Sequence, residues 1–209
     1  MDGTRVTSDD LKGQWVLLYF GFTKCPDICP QEMEKVTGVL HNLDAKGQAV
    51  LPVFITIDPA RDDGARLKSY FADNEFHPRF LPLTGTFEQV RRACRAYRVY
   101  FTKPTEEEVK AGDYLIDHSI INYLLSPEGH FIEYFGKSLS AAEMEKKMGG
   151  IIAEWERDRY LRSVLPASVA DAVLGPKDDP QPRDEPAKLP PLPIKKPPLP
   201  PKPNVVERS

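Results

Sequence analysis

The chain has 209 residues, which exceeds the ~100–150 of a common domain but is short for two full cores, so one domain with a tail is indicated. Its 28 Lys and Arg against 31 Asp and Glu leave a formal net charge of -3, with no basic excess that would predict a nucleic-acid partner. Three cysteines are too few for a disulfide scaffold, and no apolar run approaches the ~18–20 residues that span a bilayer. We therefore expect either a protein that is soluble as encoded or one whose N-terminal membrane anchor is missing.

The first half of the chain alternates strand and helix patterns. Residues 15–22 form a continuous apolar, aromatic stretch that predicts a strand buried on both faces. Apolar residues at helical spacing follow from Ile28 to Leu43, and residues 51–58 predict a second buried strand. The turn at 58–64 carries carboxylates suited to start the next helix, which runs through Leu67 and Phe71.

The second half changes character and ends in an antiparallel pattern. Residues 80–85 form a short apolar piece, and Thr84 or Thr86 can cap a third helix that includes Cys94. The polar segment 103–113 predicts an exposed loop or frayed helix. Strand patterns at 118–125 and 130–135 flank a Ser-Pro-Glu-Gly turn, and an amphipathic helix is predicted from about Ser140 to about Arg162. This order predicts an α/β, thioredoxin-like fold with a central mixed sheet flanked by helices.

The C-terminal segment differs from the rest in composition. Residues 176–209 contain twelve prolines in 34 residues and few aliphatic side chains. Such a segment buries too little apolar surface to offset its ordering entropy, which predicts a disordered tail with polyproline II character. We assign residues 1–165 to the folded domain and residues 166–209 to the tail, which is a linker or the ligand of an unknown partner.

Cys25 and Cys29 lie where the first strand ends and the first helix begins. Thiolates at a helix N-terminus are stabilised by unpaired N–H groups, which lowers a cysteine pKa from ~8.5 toward roughly 3.5–7.5. Pro26 suits a first helical turn, so we expect the helix to start there. The Cys-x-x-x-Cys spacing puts both sulfurs on one helix face, where they can ligate one ion or form a disulfide.

A dithiol leaves a metal ion short of ligands, and an imidazole is the natural third donor. His41, His77 and His130 are expected to be solvated surface residues. His118 opens a buried strand after the polar loop, and Asp117 beside it is suited to orient the ring as an outer-shell partner. Two thiolates and one imidazole suit Cu(I) and tolerate Cu(II), although zinc with a water as fourth ligand fits the same set.

The chain resembles the Sco/SenC family of copper chaperones over roughly residues 11–155. The resemblance is carried by the motif at 19–30, by Phe54-Ile-Thr-Ile-Asp-Pro-Ala-Arg-Asp62, by Leu83-Thr-Gly85, by Arg95-Ala-Tyr-Arg-Val-Tyr100, by Asp117-His-Ser119 and by Tyr134-Phe-Gly136. It departs from the family where Lys24 replaces a common His, and in the proline-rich tail.

The resemblance implies a metallochaperone that binds one copper, Cu(I) or Cu(II), through Cys25, Cys29 and His118. It further implies a role in assembling the CuA centre of cytochrome c oxidase subunit two, by delivering copper, by reducing the target's cysteines, or by both. The implied partners are that subunit and an upstream copper donor. The implied location is the mitochondrial inner membrane with the domain facing the intermembrane space, or the periplasmic side of a bacterial plasma membrane.

Two alternatives stay open at this point. Cys25 as nucleophile and Cys29 as resolving thiol describe a thiol-disulfide oxidoreductase or a peroxiredoxin-like peroxidase, which makes the pair a catalytic, redox-active dithiol. A redox or copper sensor whose tail recruits a partner is the second alternative. Neither needs His118, so this side chain discriminates best between the interpretations. Cys94 lies on the apolar stripe of the third helix and is expected to be a core residue.

Overall fold

The computed structural model describes residues 3–175, and within them five strands and six α-helices follow a short 3-10 helix at Asp9–Leu11. The elements in chain order are β1 (Trp15–Gly21), α1 (Ile28–Ala45), β2 (Val50–Thr56), α2 (Gly64–Asp73), β3 (Leu81–Leu83), α3 (Phe87–Ala96), α4 (Glu106–Ala111), β4 (Ile121–Leu125), β5 (Phe131–Gly136), α5 (Ala141–Val164) and α6 (Ala167–Leu174).

The strands form one mixed sheet in the order β3-β2-β1-β4-β5. β1 is parallel to β2, β2 is parallel to β3, and the β4–β5 hairpin joins the other edge of β1 in antiparallel pairing. All seven residues of β1 are buried, because the strand has a neighbour on each side and helices cover the sheet. The predicted fold class, a central mixed sheet flanked by helices, is confirmed.

Apolar side chains divide into two buried clusters. One joins the start of β1 to α1 and α5, and its centre is formed by Leu17, Leu40, Met144, Met148 and Ile152. The other extends along β1 from Val16 to the carboxyl end of the sheet and includes both Cys25 and Cys29. The thiols therefore sit at the rim of a packed core, which fixes the strand and helix ends that carry them.

Helix starts follow local capping chemistry and differ from the prediction at one place. Thr86 and Ser140 cap α3 and α5 with their side-chain oxygens, each in a capping box with a residue three positions later. α1 begins at Ile28 and not at Pro26, because residues 22–27 form the turn and bend that lead from the strand into the helix. The polar segment forms the short helix α4, which Thr105 caps.

The structured part continues past the predicted domain boundary at residue 165. Helix α6 packs against α5 through Ala170, which is buried, and Arg162 forms an ion pair with Asp171 at 2.8 Å. The remainder of the predicted tail, residues 176–209, lies outside the described residues. Among residues 3–175, none of the helices combines the length and apolar character needed to cross a membrane.

Candidate metal centre

The two predicted thiols meet at the carboxyl end of β1. Cys25 lies in the turn before α1, and the backbone N–H of Cys29 in the first turn of that helix donates to the Cys25 sulfur at 3.4 Å. Cys25 is 8% exposed and Cys29 is fully buried. The pair thus presents one sulfur near the surface and one inside the protein.

The predicted imidazole reaches the same point from 89 residues further along the chain. Nε2 of His118 lies 3.4 Å from Sγ of Cys29, and the possible ligand atoms of Cys25, Cys29 and His118 all lie within 4.8 Å of one another. An isolated antiparallel bridge between Phe101 and His118 holds the backbone there. Within residues 3–175, these three side chains form a cluster that could hold a metal ion.

The ring of His118 is oriented through its other nitrogen. Nδ1 lies 3.0 Å from the backbone carbonyl oxygen of Ser119, which can only accept, so Nδ1 carries the proton. Nε2 is then the nitrogen that faces the sulfurs, and in a neutral ring its lone pair is free to bind a metal ion. Aromatic rings of Tyr19 and Phe22 stand edge-on to the imidazole at 6.3 and 5.8 Å between centroids and restrict its rotation.

The two thiols have opposite acidities. The hydrogen bond from the Cys29 thiol lowers the pKa of Cys25 to about 4, against a smaller opposing effect of burial, and His118 and the N–H groups of Cys29 and Ile28 act in the same direction as that bond. The same pairing, together with burial, raises the pKa of Cys29. The pair therefore loses its first proton more readily than a free thiol does, and its second proton less readily.

Comparison with known proteins places the chain. A model described as SCO1/SenC matches residues 1–153. The chain belongs to the SCO1/SenC family. Among Sco relatives, it is 49% identical over 159 residues to the protein named SCO2 homolog, mitochondrial, of Mus musculus, which covers 75% of this chain and 58% of the mouse protein.

Solved Sco structures share the fold of this chain. Yeast Sco1 aligns with a TM-score of 0.67 and 46% identity over 71% of this chain and 90% of that structure. Arabidopsis thaliana ScoI, solved with copper bound, aligns with a TM-score of 0.67 and 42% identity over 73% of this chain and 92% of that structure. The chain spans about half the length of the curated Sco relatives that it matches.

Some predictions about individual side chains in this Sco domain need correction. The prediction for His77 was wrong, because it is 3% exposed and its Nε2 lies 3.1 Å from Oδ2 of Asp44. The orienting partner of His118 is the Ser119 carbonyl, whereas Asp117 is exposed. The core position of Cys94 is confirmed, since that thiol is 1% exposed and burial raises its pKa to about 12.

Sequence reasoning missed a buried carboxylate that supports the thiols. Asp62 is fully buried and accepts hydrogen bonds from Thr23 N at 3.0 Å, Thr23 Oγ1 at 2.6 Å and Thr56 Oγ1 at 2.6 Å. Thr23 is two residues before Cys25, so Asp62 fixes the turn on which that thiol sits. The sequence did offer one signal for it, because the turn at 58–64 has three carboxylates and a helix start needs only one. Asp63 caps α2, which leaves the other two for different roles.

Tyr19 was also missed, because in the sequence it is one aromatic residue in an apolar strand. Its hydroxyl is buried and lies 3.6 Å from Sγ of Cys29, to which it donates. Gly21, two residues later on the same face of β1, leaves the space that this sulfur occupies. A Cβ on Gly21 would lie 2.9 Å from Sγ of Cys29.

Proposed function

We propose that this chain binds one copper ion through Cys25, Cys29 and His118 and acts as a copper metallochaperone. The observation that carries the proposal is the 3.4 Å separation between Sγ of Cys29 and Nε2 of His118, since folding brings this ring to the sulfurs from a distant segment. A dithiol that works only by redox exchange does not need a third donor with its lone pair aimed at the sulfurs.

The donor set fits copper in both oxidation states. Thiolate sulfur is a soft ligand that favours Cu(I), and the imidazole nitrogen extends the range to Cu(II). Three protein donors leave one position open, through which an incoming thiolate can enter and take the ion without prior dissociation. The copper-bound structure of the Arabidopsis relative, 42% identical, supports the choice of copper over zinc.

Copper titration of single-site variants tests the ligand assignment. Cys25→Ala, Cys29→Ala and His118→Ala should each lose tight binding, and loading with Cu(II) should give a thiolate-to-copper charge-transfer band that requires both sulfurs. Cys94→Ala is the matched control, because it removes the third buried thiol away from the cluster and should leave stoichiometry and spectrum unchanged. The assignment would be refuted if the Cys25→Ala variant and the Cys29→Ala variant each still bound copper tightly at one ion per chain.

We propose the CuA centre of cytochrome c oxidase subunit two as the recipient and an upstream chaperone as the donor of the copper. The support is membership in the SCO1/SenC family, since the resemblance to that family implies a part in this assembly. Relatives named mitochondrial, such as the mouse protein at 49% identity, support a mitochondrial location, and we propose attachment to the inner membrane with the domain in the intermembrane space. Transfer of copper from the loaded chain to the reduced, soluble domain of that subunit tests this role, and a recipient that stays empty would contradict it.

The opposite acidities of the thiols favour a second role as a reductant of the target's cysteines. The Cys25 thiolate would attack the target disulfide and release one target thiolate, and Cys29 would then displace the second as the Cys25–Cys29 disulfide forms. Two electrons pass to the target, and the proton of Cys29 is released. Oxidation of the pair removes both sulfur ligands, so this role and copper binding exclude each other in one molecule.

His118→Ala separates the two roles. The variant should reduce a target disulfide at a rate within a fewfold of the unmodified protein, because neither sulfur is removed, while its copper binding falls. Equal loss of both activities would contradict this separation, and turnover of peroxide with an added reductant would favour the peroxidase alternative instead.

A further inference from the structure

A second buried carboxylate, Asp58, holds the segment that leads to His118. The hydroxyl of Tyr114 donates to Oδ1 of Asp58 at 2.7 Å, and Nε of Arg61 donates to Oδ2 of the same carboxylate at 2.5 Å. The guanidinium carbon of Arg61 lies 3.5 Å from the centroid of the Tyr114 ring. Asp58 is 2% and Tyr114 5% exposed, so hydrogen bonding and stacking combine at a site largely shielded from solvent.

Tyr114 occupies the point where an exposed segment returns to the core. All residues from Thr105 to Asp113 are exposed, and they include the short helix α4. Beyond Tyr114, Leu115 is 69% exposed and Ile116 is 4% exposed. Tyr114 is therefore the first buried side chain after the exposed segment, four residues before His118.

The backbone around His118 pairs with residues 100–102 over a short stretch, in which Asp117 N donates to Thr102 Oγ1 at 3.0 Å and Tyr100 N donates to Ser119 Oγ at 3.1 Å. Thr102 N donates to the carbonyl oxygen of Asp117, and Ser119 N donates to that of Tyr100, both at 2.9 Å. Between these two bonds lies the isolated bridge of His118 to Phe101, outside the named strands. A pair of backbone segments this short is only marginally stable by itself, so we expect side-chain contacts on either side of it to contribute to its stability.

The turn that follows β2 thus supports both halves of the cluster. Asp62 binds Thr23 next to the thiols, and Asp58 binds Tyr114 next to the imidazole. We propose that Tyr114 is a positioning residue of the metal centre, whose bond to Asp58 holds His118 within ligand distance of Cys29. The expected effect on copper affinity rests on the proposed copper function. The expected effect on the position of His118 rests only on contacts within the metal-free protein.

The variant Tyr114→Phe tests the proposal, because it keeps the ring that Arg61 stacks on and removes only the donor to Asp58. Tyr123→Phe is the matched control: Tyr123 is fully buried, and within the described part of the chain its hydroxyl has no hydrogen-bond partner. Both variants lose one buried oxygen, and only one of them loses the contact to the turn.

The first measurement is amide hydrogen exchange in the metal-free proteins. Tyr114→Phe should speed exchange at Thr102 and Ser119 by about tenfold, as expected for weakening one hydrogen bond to a carboxylate, and leave the amides of β1 unchanged. Tyr123→Phe should not change Thr102 or Ser119 selectively. Unchanged exchange at both amides in Tyr114→Phe would overturn the proposal whether or not the protein binds copper.

The second measurement is copper affinity with the nitrogen hyperfine pattern of bound Cu(II). Tyr114→Phe should bind copper about tenfold more weakly, with part of the signal lacking imidazole nitrogen coupling, and His118→Ala provides the spectrum for complete loss. Faster exchange with unchanged affinity and full nitrogen coupling would also overturn the positioning role. Failure of the unmodified protein to bind copper would refute the proposed function, and the exchange data would still decide whether Tyr114 holds the His118 segment.

Discussion

Replacing Gly21 with alanine tests how closely the strand approaches the inner sulfur, without removing any group that carries chemistry. A Cβ at this position would lie 2.7 Å from Cε1 of Tyr19, 2.9 Å from Sγ of Cys29 and 3.0 Å from Cε2 of Phe54. Ordinary contacts between such atoms are about 3.5–4.0 Å. The three neighbours are all at most 1% exposed, so none can turn away into solvent.

The size of the effect follows from these contacts. Overpacking of a filled core typically costs about 1–3 kcal/mol, and three simultaneous clashes place this site in the upper part of that range. The lower entropy of the unfolded alanine chain offsets about 0.4–1 kcal/mol. We therefore expect Gly21→Ala to lower the free energy of unfolding by about 2 kcal/mol, with Cys29 displaced as the strand and helix separate.

Urea unfolding followed by tryptophan fluorescence measures the change, because Trp15 is buried in the core. With a slope of about 2 kcal/mol per molar urea, the midpoint should fall by about 1 M. Gly38→Ala is the matched control, since Gly38 lies on the exposed face of α1 with open space at its Cβ position. It should raise stability by about 0.5–1 kcal/mol. A midpoint for Gly21→Ala at or above that of the unmodified protein would refute the reasoning.

Three further predictions concern other buried groups. Tyr19→Phe removes the hydrogen bond to Cys29 and should shift the thiolate-to-Cu(II) band to lower energy; an unmoved band would mean that the 3.6 Å contact does not act on the sulfur. At pH 6, iodoacetamide should label Cys25 and spare Cys29 and Cys94 in the reduced protein, because only Cys25 has a lowered pKa, and peptide mass spectrometry reads the result directly. Burial lowers the pKa of His77 below its ordinary 6.5, so the unfolded chain binds that proton more tightly, and the free energy of unfolding should fall as the pH is lowered from 6.5. His77→Gln should flatten that slope in urea titrations at several pH values, and an unchanged slope would count against His77 as its source.

The parts of the fold that the sequence predicted are those in which local pattern and burial agree. β1 is an uninterrupted apolar run, and a central strand covered on both faces requires that composition. The start of α5 was predictable for a different reason, because Ser140 and Glu143 form a capping box that local chemistry alone favours. The start of α1 was not, since Pro26 is compatible with a first helical turn and also with the turn that precedes one.

In the candidate site, too, local relations were predictable from the sequence and long-range contacts were not. The relation of Cys25 to Cys29 is local, so the spacing of four residues predicted that both sulfurs lie together. The burial of His77 depends on Asp44, 33 residues away on α1, and no local pattern reports that pairing. The same holds for Asp62, whose neighbours in sequence look like a surface turn while its partners lie on two different strand ends.

The position of His118 is the informative case, because it was predicted from ligand chemistry and family resemblance and not from chain geometry. Its backbone is joined to the protein through an isolated bridge, and the side chain that precedes it in the core is Tyr114, bound to the turn after β2. A single turn after β2 thus contacts the segments that carry both kinds of donor. If this arrangement sets the distance between the donors, substitutions in the turn should change copper affinity even though none of its side chains belongs to the donor set. Asp62→Asn and Asp58→Asn should then each weaken copper binding, and their effects on copper affinity should add, since they act on different donors. If the two substitutions only lower stability, their effects on the free energy of unfolding should add, and the copper affinity measured under conditions where both variants are fully folded should stay unchanged.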